Sequence, residues 1–281
     1  MFDLILYSCP LPSAFLRRLT PGSAQDSICC SGSLMKAFLF ELCVETLQAA
    51  QAAEQGGANR IELCDRLDIG GITPGEKLVN TTIQALSIPI HVLIRPRGGD
   101  FVYSAVEFDL MKQQILWVKQ AGAAGVALGV LLADGRVDVV RSRELVELAR
   151  PMKVTFHRAF DRTPDMAEAL EVVIRTGADC LLTSGGAPNV LAGAKQLKTL
   201  VIQAGDRIQI MAGGGLRLSS VAEVLEQTGL RCLHGSLTRR AGERFPKSVI
   251  TDLTNSQAAI LEDDVRTAVR LMHGHFAAEM V

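Results

Sequence analysis

The sequence has no surplus of either charge and few aromatic side chains. Its 29 basic and 30 acidic residues leave a formal net charge of -1 at pH 7, and aromatic residues make up 5% of the 281 positions. A nucleic-acid-binding protein ordinarily carries a basic face, and single strands are held by stacking on aromatic rings. The sequence also lacks an apolar run of the roughly 18 residues that a membrane-spanning helix needs. These absences argue against nucleic acid and membrane as partners.

Cysteine is too sparse for a disulfide-rich protein. There are 7 cysteines, an odd number that cannot pair completely within one chain. Such usage is typical of a reducing compartment. Near the amino terminus, Asp3 stands where a secretory signal would be basic, and Pro10 and Pro12 interrupt the apolar run. We therefore expect a cytoplasmic protein.

The first part of the sequence differs in character from the rest. The stretch from Ser8 to Ser33 is rich in Pro, Ser, Gly and Cys and has no sustained period. We expect residues 1–35 to form a disordered N-terminal extension. Residues 36–281 are expected to form one domain, since single α/β barrels commonly reach about 250 residues.

From residue 37 onward, short apolar runs alternate with segments of helical period. The runs suit buried parallel strands. The predicted strands are Ala37–Val44, Arg60–Cys64, Ile88–Arg95, Gly125–Leu131, Lys153–Arg158, Cys180–Gly185, Arg207–Gly213 and Cys232–Leu237. The predicted helices are Thr46–Gln55, Glu76–Leu86, Glu107–Gln120, Val140–Ala149, Pro164–Arg175, Val190–Gln203, Ser219–Gln227 and Asp263–Phe276.

Eight strands in steady alternation with helices predict a closed parallel (β/α)₈ barrel of the TIM type. An open, doubly wound sheet is the alternative. A glycine-rich phosphate loop after the first strand would favour it, but the residues from Glu41 to Thr46 fill that place. The polar stretch from Thr238 to Gln257 is expected to lie over one mouth of the barrel. Reactive groups should gather at the carboxyl ends of the strands.

The first two strands carry the same pattern, Glu41-Leu42-Cys43 and Glu62-Leu63-Cys64. Residues two apart face the same side of a strand, so both cysteines could meet near the mouth. Two neighbouring thiols suit a soft ion such as Cu(I). The alternative is structural, with small buried cysteines and with both carboxylates paired to an arginine inside the barrel, for which Arg95 is a candidate.

The loop after the third strand concentrates charge and glycine. Arg95 and Arg97 stand beside Gly98, Gly99 and Asp100. Guanidinium groups next to glycines predict an anion site, because arginine offers a planar fork and glycine lets the backbone approach. The alternative is a salt-bridged loop in which Arg97 pairs with Asp100 and Glu107.

Histidines and glycine-rich turns complete the predicted site. His157 near the end of the fifth strand is a candidate for proton transfer. The glycine-rich turns after the sixth and seventh strands could hold a phosphate through backbone N–H groups. The further ligand-binding candidates are Arg158, Asp161, Ser184, Gly213, Gly214, His234 and Ser236.

These motifs together resemble the copper homeostasis protein CutC family from about Phe38 onward. The matching strings begin with Glu41-Leu42-Cys43-Val44-Glu45 and Gly57-Ala58-Asn59-Arg60-Ile61-Glu62-Leu63-Cys64. They continue through Ile94-Arg95-Pro96-Arg97-Gly98-Gly99-Asp100-Phe101 and Val154-Thr155-Phe156-His157-Arg158-Ala159-Phe160-Asp161. The resemblance implies a cytoplasmic TIM barrel linked to copper handling, with Cu(I) bound at Cys43 and Cys64.

Two functions remain open at this stage. In the first, the protein binds Cu(I) through Cys43 and Cys64. In the second, it is an enzyme acting on a small anionic substrate, a class that includes phosphorylated molecules, with Glu41, Glu62 or His157 moving protons. Arg95 or Arg97 and the turn at Gly213–Gly215 would then hold the anion. An apolar face on the outer helices could make a homo-oligomer.

Overall fold

The computed structural model describes residues 38–237 and 262–278. The predicted N-terminal extension, residues 1–35, and the whole polar stretch from Thr238 to Gln257 lie outside these ranges. Eight parallel strands close into a barrel in which each strand pairs with its neighbours in chain order and β1 pairs with β8. The single (β/α)₈ TIM barrel predicted from the sequence is therefore confirmed. The strands are β1 Leu39–Val44, β2 Arg60–Leu63, β3 Ile90–Leu93, β4 Gly125–Leu128, β5 Lys153–Phe156, β6 Cys180–Thr183, β7 Gln209–Gly213 and β8 Cys232–Gly235.

Eight α-helices of the described ranges surround this ring. Their ends follow local chemistry: Ser104 and Glu107 form a capping box at the start of α3, and Asp165 accepts two backbone N–H bonds at the start of α5. Gly122 ends α3 in the left-handed conformation that glycine adopts at little cost. The helices are α1 Leu47–Gln55, α2 Glu76–Ala85, α3 Ala105–Ala121, α4 Val139–Ala149, α5 Met166–Thr176, α6 Ala194–Ala204, α7 Val221–Thr228 and α8 Glu262–Ala278. None of the helices within the described ranges is long and apolar enough to cross a membrane.

Side chains alternate between two environments along each strand. The outward set, including Phe40, Leu42, Ile61, Val126 and Phe156, packs with the helices in the main apolar core. The inward set fills the barrel in layers contributed by alternate strands, as the strand register requires. From the amino ends upward, these layers are Arg60, Gly125, Cys180 and Cys232; Glu41, His91, Thr155 and Met211; Glu62, Ala127, Leu182 and His234; and Cys43, Leu93, His157 and Gly213.

The inward layers are unusually polar for a barrel interior. Glu41, Glu62, His91 and His234 are all less than one-tenth exposed. A buried charge is costly unless it is paired and hydrogen-bonded. The partners of these groups therefore determine what the barrel can bind.

Candidate site at the carboxyl ends of the strands

A cavity of about 890 Å³ opens at the carboxyl ends of the strands. It contains side chains from strands that are far apart in the sequence, as the barrel predicts. Among its lining residues are Cys43, Glu62, Arg95, His157, Arg158, Gly214, His234 and Ser236. Eight of the predicted site residues thus line one mouth.

The two thiols of the Glu-x-Cys pattern are in contact. Cys43 Sγ lies 3.1 Å from Cys64 Sγ, and Cys64 Sγ is 3.5 Å from the carbonyl oxygen of Val44. Register explains the contact, because Cys43 pairs with Glu62 and the next inward position, just after the end of β2, is Cys64. All four cysteines of the described ranges are buried free thiols. The sequence prediction that Cys43 and Cys64 approach each other at the mouth is met.

Both thiols of this pair hold their protons more tightly than an exposed cysteine. The hydrogen bond between them and burial raise the pKa of Cys43 well above its ordinary value. The same bond lowers the pKa of Cys64, but burial and the nearby carboxylates raise it by more, so the net shift is upward. A metal ion that binds here must displace these protons.

The carboxylate of Glu41 is held by Arg60 and His234. Its Oε2 accepts from Arg60 Nε at 2.5 Å, and its Oε1 lies 2.7 Å from His234 Nδ1. Burial alone raises the pKa of Glu41, but the guanidinium of Arg60 and the bond to His234 lower it by more, so the carboxyl stays ionised. The suggestion that Arg95 pairs with the buried carboxylates is wrong for Glu41. Arg60 begins β2 and faces inward on the same side as Glu62, which brings it nearer.

Glu62 lies one layer above, on the other side of the His234 ring. Its Oε2 is 3.7 Å from His234 Nε2. Burial raises the pKa of Glu62. Burial lowers the pKa of His234, but the hydrogen bond to Glu41 and the charges of both carboxylates raise it by more, so the net shift of His234 is upward. One donor atom each from Cys43, Glu62 and His234 can be chosen so that all three lie within 4.8 Å of one another. Sequence reasoning named the three residues but assigned them to different roles.

Arg95 lines the cavity, but both of its Nη groups donate to backbone carbonyls of the protein itself. Its Nη1 donates to the carbonyl oxygens of Ile69 and Gly71 at 3.2 and 2.7 Å, and its Nη2 donates to that of Gly99 at 2.8 Å. The side chain is 4% exposed. Arg95 therefore joins the loop after β2 to the loop after β3.

The predicted anion site at Arg97 and Asp100 is replaced by the salt-bridged alternative. Arg97 Nε donates to Glu107 Oε1 at 2.5 Å, and its Nη2 lies 2.9 Å from Asp100 Oδ1. The same guanidinium also donates to three backbone carbonyls of its own loop, those of Gly98, Asp100 and Val102. Neither Arg97 nor Asp100 is among the described residues that line the cavity. The guanidinium of Arg97 is therefore paired with groups of its own loop and with Glu107, and these contacts stabilise the loop.

His157 presents a neutral ring to the same mouth. Its Nδ1 accepts from the backbone N–H of Ala159 at 3.2 Å, so the ring proton is on Nε2. Within the part of the chain that the structure describes, Nε2 is buried and has no hydrogen-bond partner. Burial and the charge of Arg95 lower the pKa of His157 to about 3. The imidazole is thus an uncharged N–H donor at neutral pH, beside the ring of Phe101 at 5.0 Å.

Asp161 and Ser184 support the site from below its surface. Asp161 accepts from Thr183 Oγ1, from the backbone and hydroxyl of Ser184 and from the backbone of Gly186. It also pairs with Arg158, whose Nε lies 2.7 Å from Oδ2. Asp161 and Ser184 are outside the described lining of the cavity, whereas Arg158 is part of it. Their observed contacts are with Arg158 and the turn after β6.

Two of the predicted glycines are needed for close packing. A Cβ on Gly213 would lie 2.4 Å from Leu182 Cδ1 and 2.9 Å from His234 Cβ. A Cβ on Gly214, which has φ +115°, would lie 2.7 Å from Arg158 Cζ. Gly214 lines the cavity and Gly213 lies outside its described lining. These glycines therefore leave room for His234 and Arg158.

Sequence reasoning missed Arg60 and the loop at Asp65–Asp68, which lines the mouth. The signal for Arg60 was present, because Arg60, Glu62 and Cys64 alternate along one strand face. The loop contains the short 3₁₀ helix Leu67–Ile69, and Leu67 N donates to Glu45 Oε1 at 2.7 Å. A contact between residues so far apart in the sequence leaves no periodic pattern, so the sequence could not reveal the position of this loop.

Comparison with known proteins identifies the family of the chain. The CutC family model matches residues 38–239. A human copper homeostasis protein cutC homolog is 40% identical over 241 residues, 84% of this chain and 88% of that protein. A CutC family protein of Caulobacter vibrioides is 42% identical over 232 residues, 80% of this chain and 94% of that protein. The crystal structure of a copper homeostasis protein CutC from Streptococcus agalactiae has a TM-score of 0.68 and 31% identity, covering 72% of this chain and 100% of that one. The chain therefore belongs to the CutC family of copper homeostasis proteins.

Proposed function

We propose that the protein binds Cu(I) through the thiolates of Cys43 and Cys64 as its part in copper homeostasis. The observation that carries this proposal is the 3.1 Å contact between the two sulfurs at the mouth of the barrel. Thiolate is the soft ligand that selects Cu(I). The names of the relatives, which refer to copper homeostasis, support the same ion. Free thiols persist in a reducing compartment, which supports a cytoplasmic location.

Burial of the pair favours a monovalent ion. Two thiolates in an apolar setting carry two negative charges, and one Cu(I) leaves a net charge of -1 for nearby groups to balance. The guanidinium of Arg60 lies in the layers below. The raised pKa values of Cys43 and Cys64 mean that binding releases protons, so affinity should increase with pH.

The test is a titration of reduced protein with Cu(I) in competition with a chromophoric Cu(I) chelator. We expect wild-type protein to remove copper from the chelator and the Cys43→Ala, Cys64→Ala double variant to fail. A matched control exists in the same barrel, because Cys180 and Cys232 are also buried thiols, but near the amino ends of the strands. The Cys180→Ala, Cys232→Ala variant should keep the wild-type affinity. Equal Cu(I) affinity in all three proteins would end the proposal.

A second function, an enzyme acting on a small anionic substrate, is favoured by the size of the cavity. A volume of about 890 Å³ falls within the range of small-molecule sites, roughly 300–1,000 Å³, and far exceeds one ion. The side chain of Arg158 is 42% exposed at its rim beside Gly214. His157 supplies a neutral N–H donor that lacks a partner in the described structure and could donate to a substrate oxygen.

Inorganic phosphate is a simple probe of this second function. Binding by calorimetry should weaken in Arg158→Met and should be unchanged in Arg97→Met, because Arg97 is occupied by Glu107 and Asp100. Failure of wild-type protein to bind phosphate or any phosphorylated small molecule would argue against an anionic substrate. It would leave the copper proposal intact.

A further inference from the structure

We propose that Cys43, Glu62 and His234 form a second metal site, one that takes a borderline divalent ion such as Zn²⁺. The site lies at the same mouth as the proposed copper pair but uses different donors, sharing Cys43 and leaving out Cys64. It goes beyond the copper proposal and does not depend on it. It rests on the spacing of the donor atoms, the tautomer of His234 and the position of the site in the cavity.

The donor atoms have a spacing close to that of a tetrahedral site. A Zn²⁺ ion with bonds of about 2.0–2.3 Å holds neighbouring donor atoms roughly 3.3–3.8 Å apart. His234 Nε2 and Glu62 Oε2 are 3.7 Å apart, within this range. With the sulfur of Cys43 included, one donor atom from each of the three residues can be chosen so that all three atoms lie within 4.8 Å of one another. Small side-chain movements therefore suffice to bring all three donors onto one ion.

The hydrogen bonds below the site prepare His234 as a ligand. Glu41 Oε1 lies 2.7 Å from Nδ1, and the other oxygen of Glu41 is fixed by Arg60 at 2.5 Å. An ionised carboxylate can only accept, so Nδ1 carries the proton, and in the neutral ring the lone pair is on Nε2. Nε2 is the atom that faces Glu62. A metal-binding histidine characteristically donates its other N–H to a carboxylate in this way.

The chemistry of the donor set selects a different ion from the thiol pair. One thiolate, one carboxylate and one neutral imidazole combine soft, hard and borderline ligands, which suits Zn²⁺ better than Cu(I). The two ligand charges balance a divalent ion, which matters because Cys43, Glu62 and His234 are 4, 5 and 8% exposed.

The fourth position of such an ion would face the cavity. Cys43, Glu62 and His234 all belong to its lining. Three protein ligands with one open position are typical of catalytic rather than structural zinc sites. Because Cys43 is common to both donor sets, Zn²⁺ and Cu(I) are expected to compete.

The experiment uses the full chain, reduced and freed of metal, with Zn²⁺ and Co²⁺ as the probes. Co²⁺ reports the donor set directly, since a thiolate ligand gives a charge-transfer band and a tetrahedral site gives strong visible bands. We expect both in wild-type protein and in Cys64→Ser. We expect loss of the thiolate band in Cys43→Ser, and at least a tenfold loss of Zn²⁺ affinity in Glu62→Gln and in His234→Asn.

His91→Asn is the matched control, because His91 is buried in the same barrel but lies two layers below Cys43 and outside the lining of the mouth cavity. It should keep wild-type Zn²⁺ affinity. Circular dichroism verifies that each variant is folded, and the Co²⁺ spectrum of wild-type protein tests the site even where a variant fails to fold. Absence of a thiolate band in wild-type protein would overturn the proposal. Wild-type Zn²⁺ affinity in folded Glu62→Gln and His234→Asn would overturn it too.

Parallel Cu(I) titrations distinguish this proposal from the previous one. Cys64→Ser should lose Cu(I) and keep Zn²⁺, whereas Glu62→Gln should keep Cu(I) and lose Zn²⁺. If Cys64→Ser loses both ions, the divalent ion is bound by the thiol pair and the three-donor site is wrong. If Cu(I) fails to bind any variant while Zn²⁺ follows the expected pattern, only the copper proposal falls.

Discussion

His157 and His234 are both buried inward-facing histidines, yet their protons behave oppositely. Burial and the positive charge of Arg95 lower the pKa of His157 to about 3. For His234, burial has the same lowering effect, but Glu41 and Glu62 raise the pKa by more. The sign of the neighbouring charge therefore decides which ring is a neutral donor and which can carry a proton. The sequence could not separate them, because both appeared simply as histidines near strand ends.

The low pKa of His157 predicts that this residue weakens the fold in acid. In the unfolded chain His157 takes up a proton as the pH falls below its ordinary pKa of 6.5, whereas in the native protein the ring stays neutral until about pH 3. Stability therefore falls as pH decreases through this window, by about 1.4 kcal/mol per pH unit for this group. His157→Asn, which keeps an acceptor for the Ala159 N–H, should have a shallower acid dependence in urea unfolding. The exposed His273→Asn is the control, and an unchanged slope in His157→Asn would contradict the assignment.

At the level of elements, the sequence located every strand, but each of the eight was predicted longer than it is in the structure. Strand β5 was predicted as Lys153–Arg158 and ends at Phe156, and β3 was predicted as Ile88–Arg95 and ends at Leu93. The alternating pattern continues into His157 and Arg95 because these residues still point to the barrel mouth after leaving the hydrogen-bonded ladder. Periodicity therefore detects which way a side chain faces but not where a ladder stops. Uncertain element ends also explain the prediction of an anion site at the Arg97 loop. Whether Arg97 reaches Glu107 depends on where α3 begins, which the sequence pattern does not determine.

Arg95 is predicted to stabilise the two loops that it joins. It donates to the carbonyl oxygens of Ile69, Gly71 and Gly99, and its own N–H donates to Thr73 Oγ1 at 2.8 Å. Arg95→Met would remove the donor from all three carbonyls, but only the carbonyl of Gly71 belongs to a buried residue, whereas Ile69 and Gly99 are exposed to water. A buried acceptor left unpaired costs about 1–3 kcal/mol. We expect a loss of about 1–3 kcal/mol in the free energy of unfolding, measured with urea.

Arg136→Met is the control for this variant, because both side chains of the ion pair between Arg136 and Asp134 are exposed. Arg136→Met should cost less than about 1 kcal/mol, as exposed ion pairs usually do. Equal losses in the two variants would show that Arg95 does not act through the buried carbonyl of Gly71.

On the scale of the whole molecule, closure of the ring creates the site. β1 pairs with β8 in a register that places Glu41 beside His234, although 193 residues separate them. Sequence period predicted eight strands, and so predicted that Cys43, Cys64, Arg95 and His157 approach one mouth. It could not predict the partner of Glu41, because that depends on the stagger between the first and last strands. The fold was therefore predictable in outline, whereas the ionic contacts that prepare His234 required the three-dimensional register.

Ring closure also predicts that residues 1–35 are dispensable for folding. The start of β1 is already supported within the described structure: Leu39 N donates to Arg231 O, and Phe40 N donates to Asn59 Oδ1 at 2.7 Å. Phe38 stacks on Phe276 of α8 with ring centroids 6.2 Å apart. The free energy of unfolding of a chain beginning at Lys36 should therefore be within about 1 kcal/mol of that of the full chain, a difference as small as that of a surface substitution. The shortened chain should also bind Cu(I) with the same affinity. A larger loss of stability in urea, or weaker copper binding by the shortened chain, would mean that the first residues contribute to the barrel or its mouth.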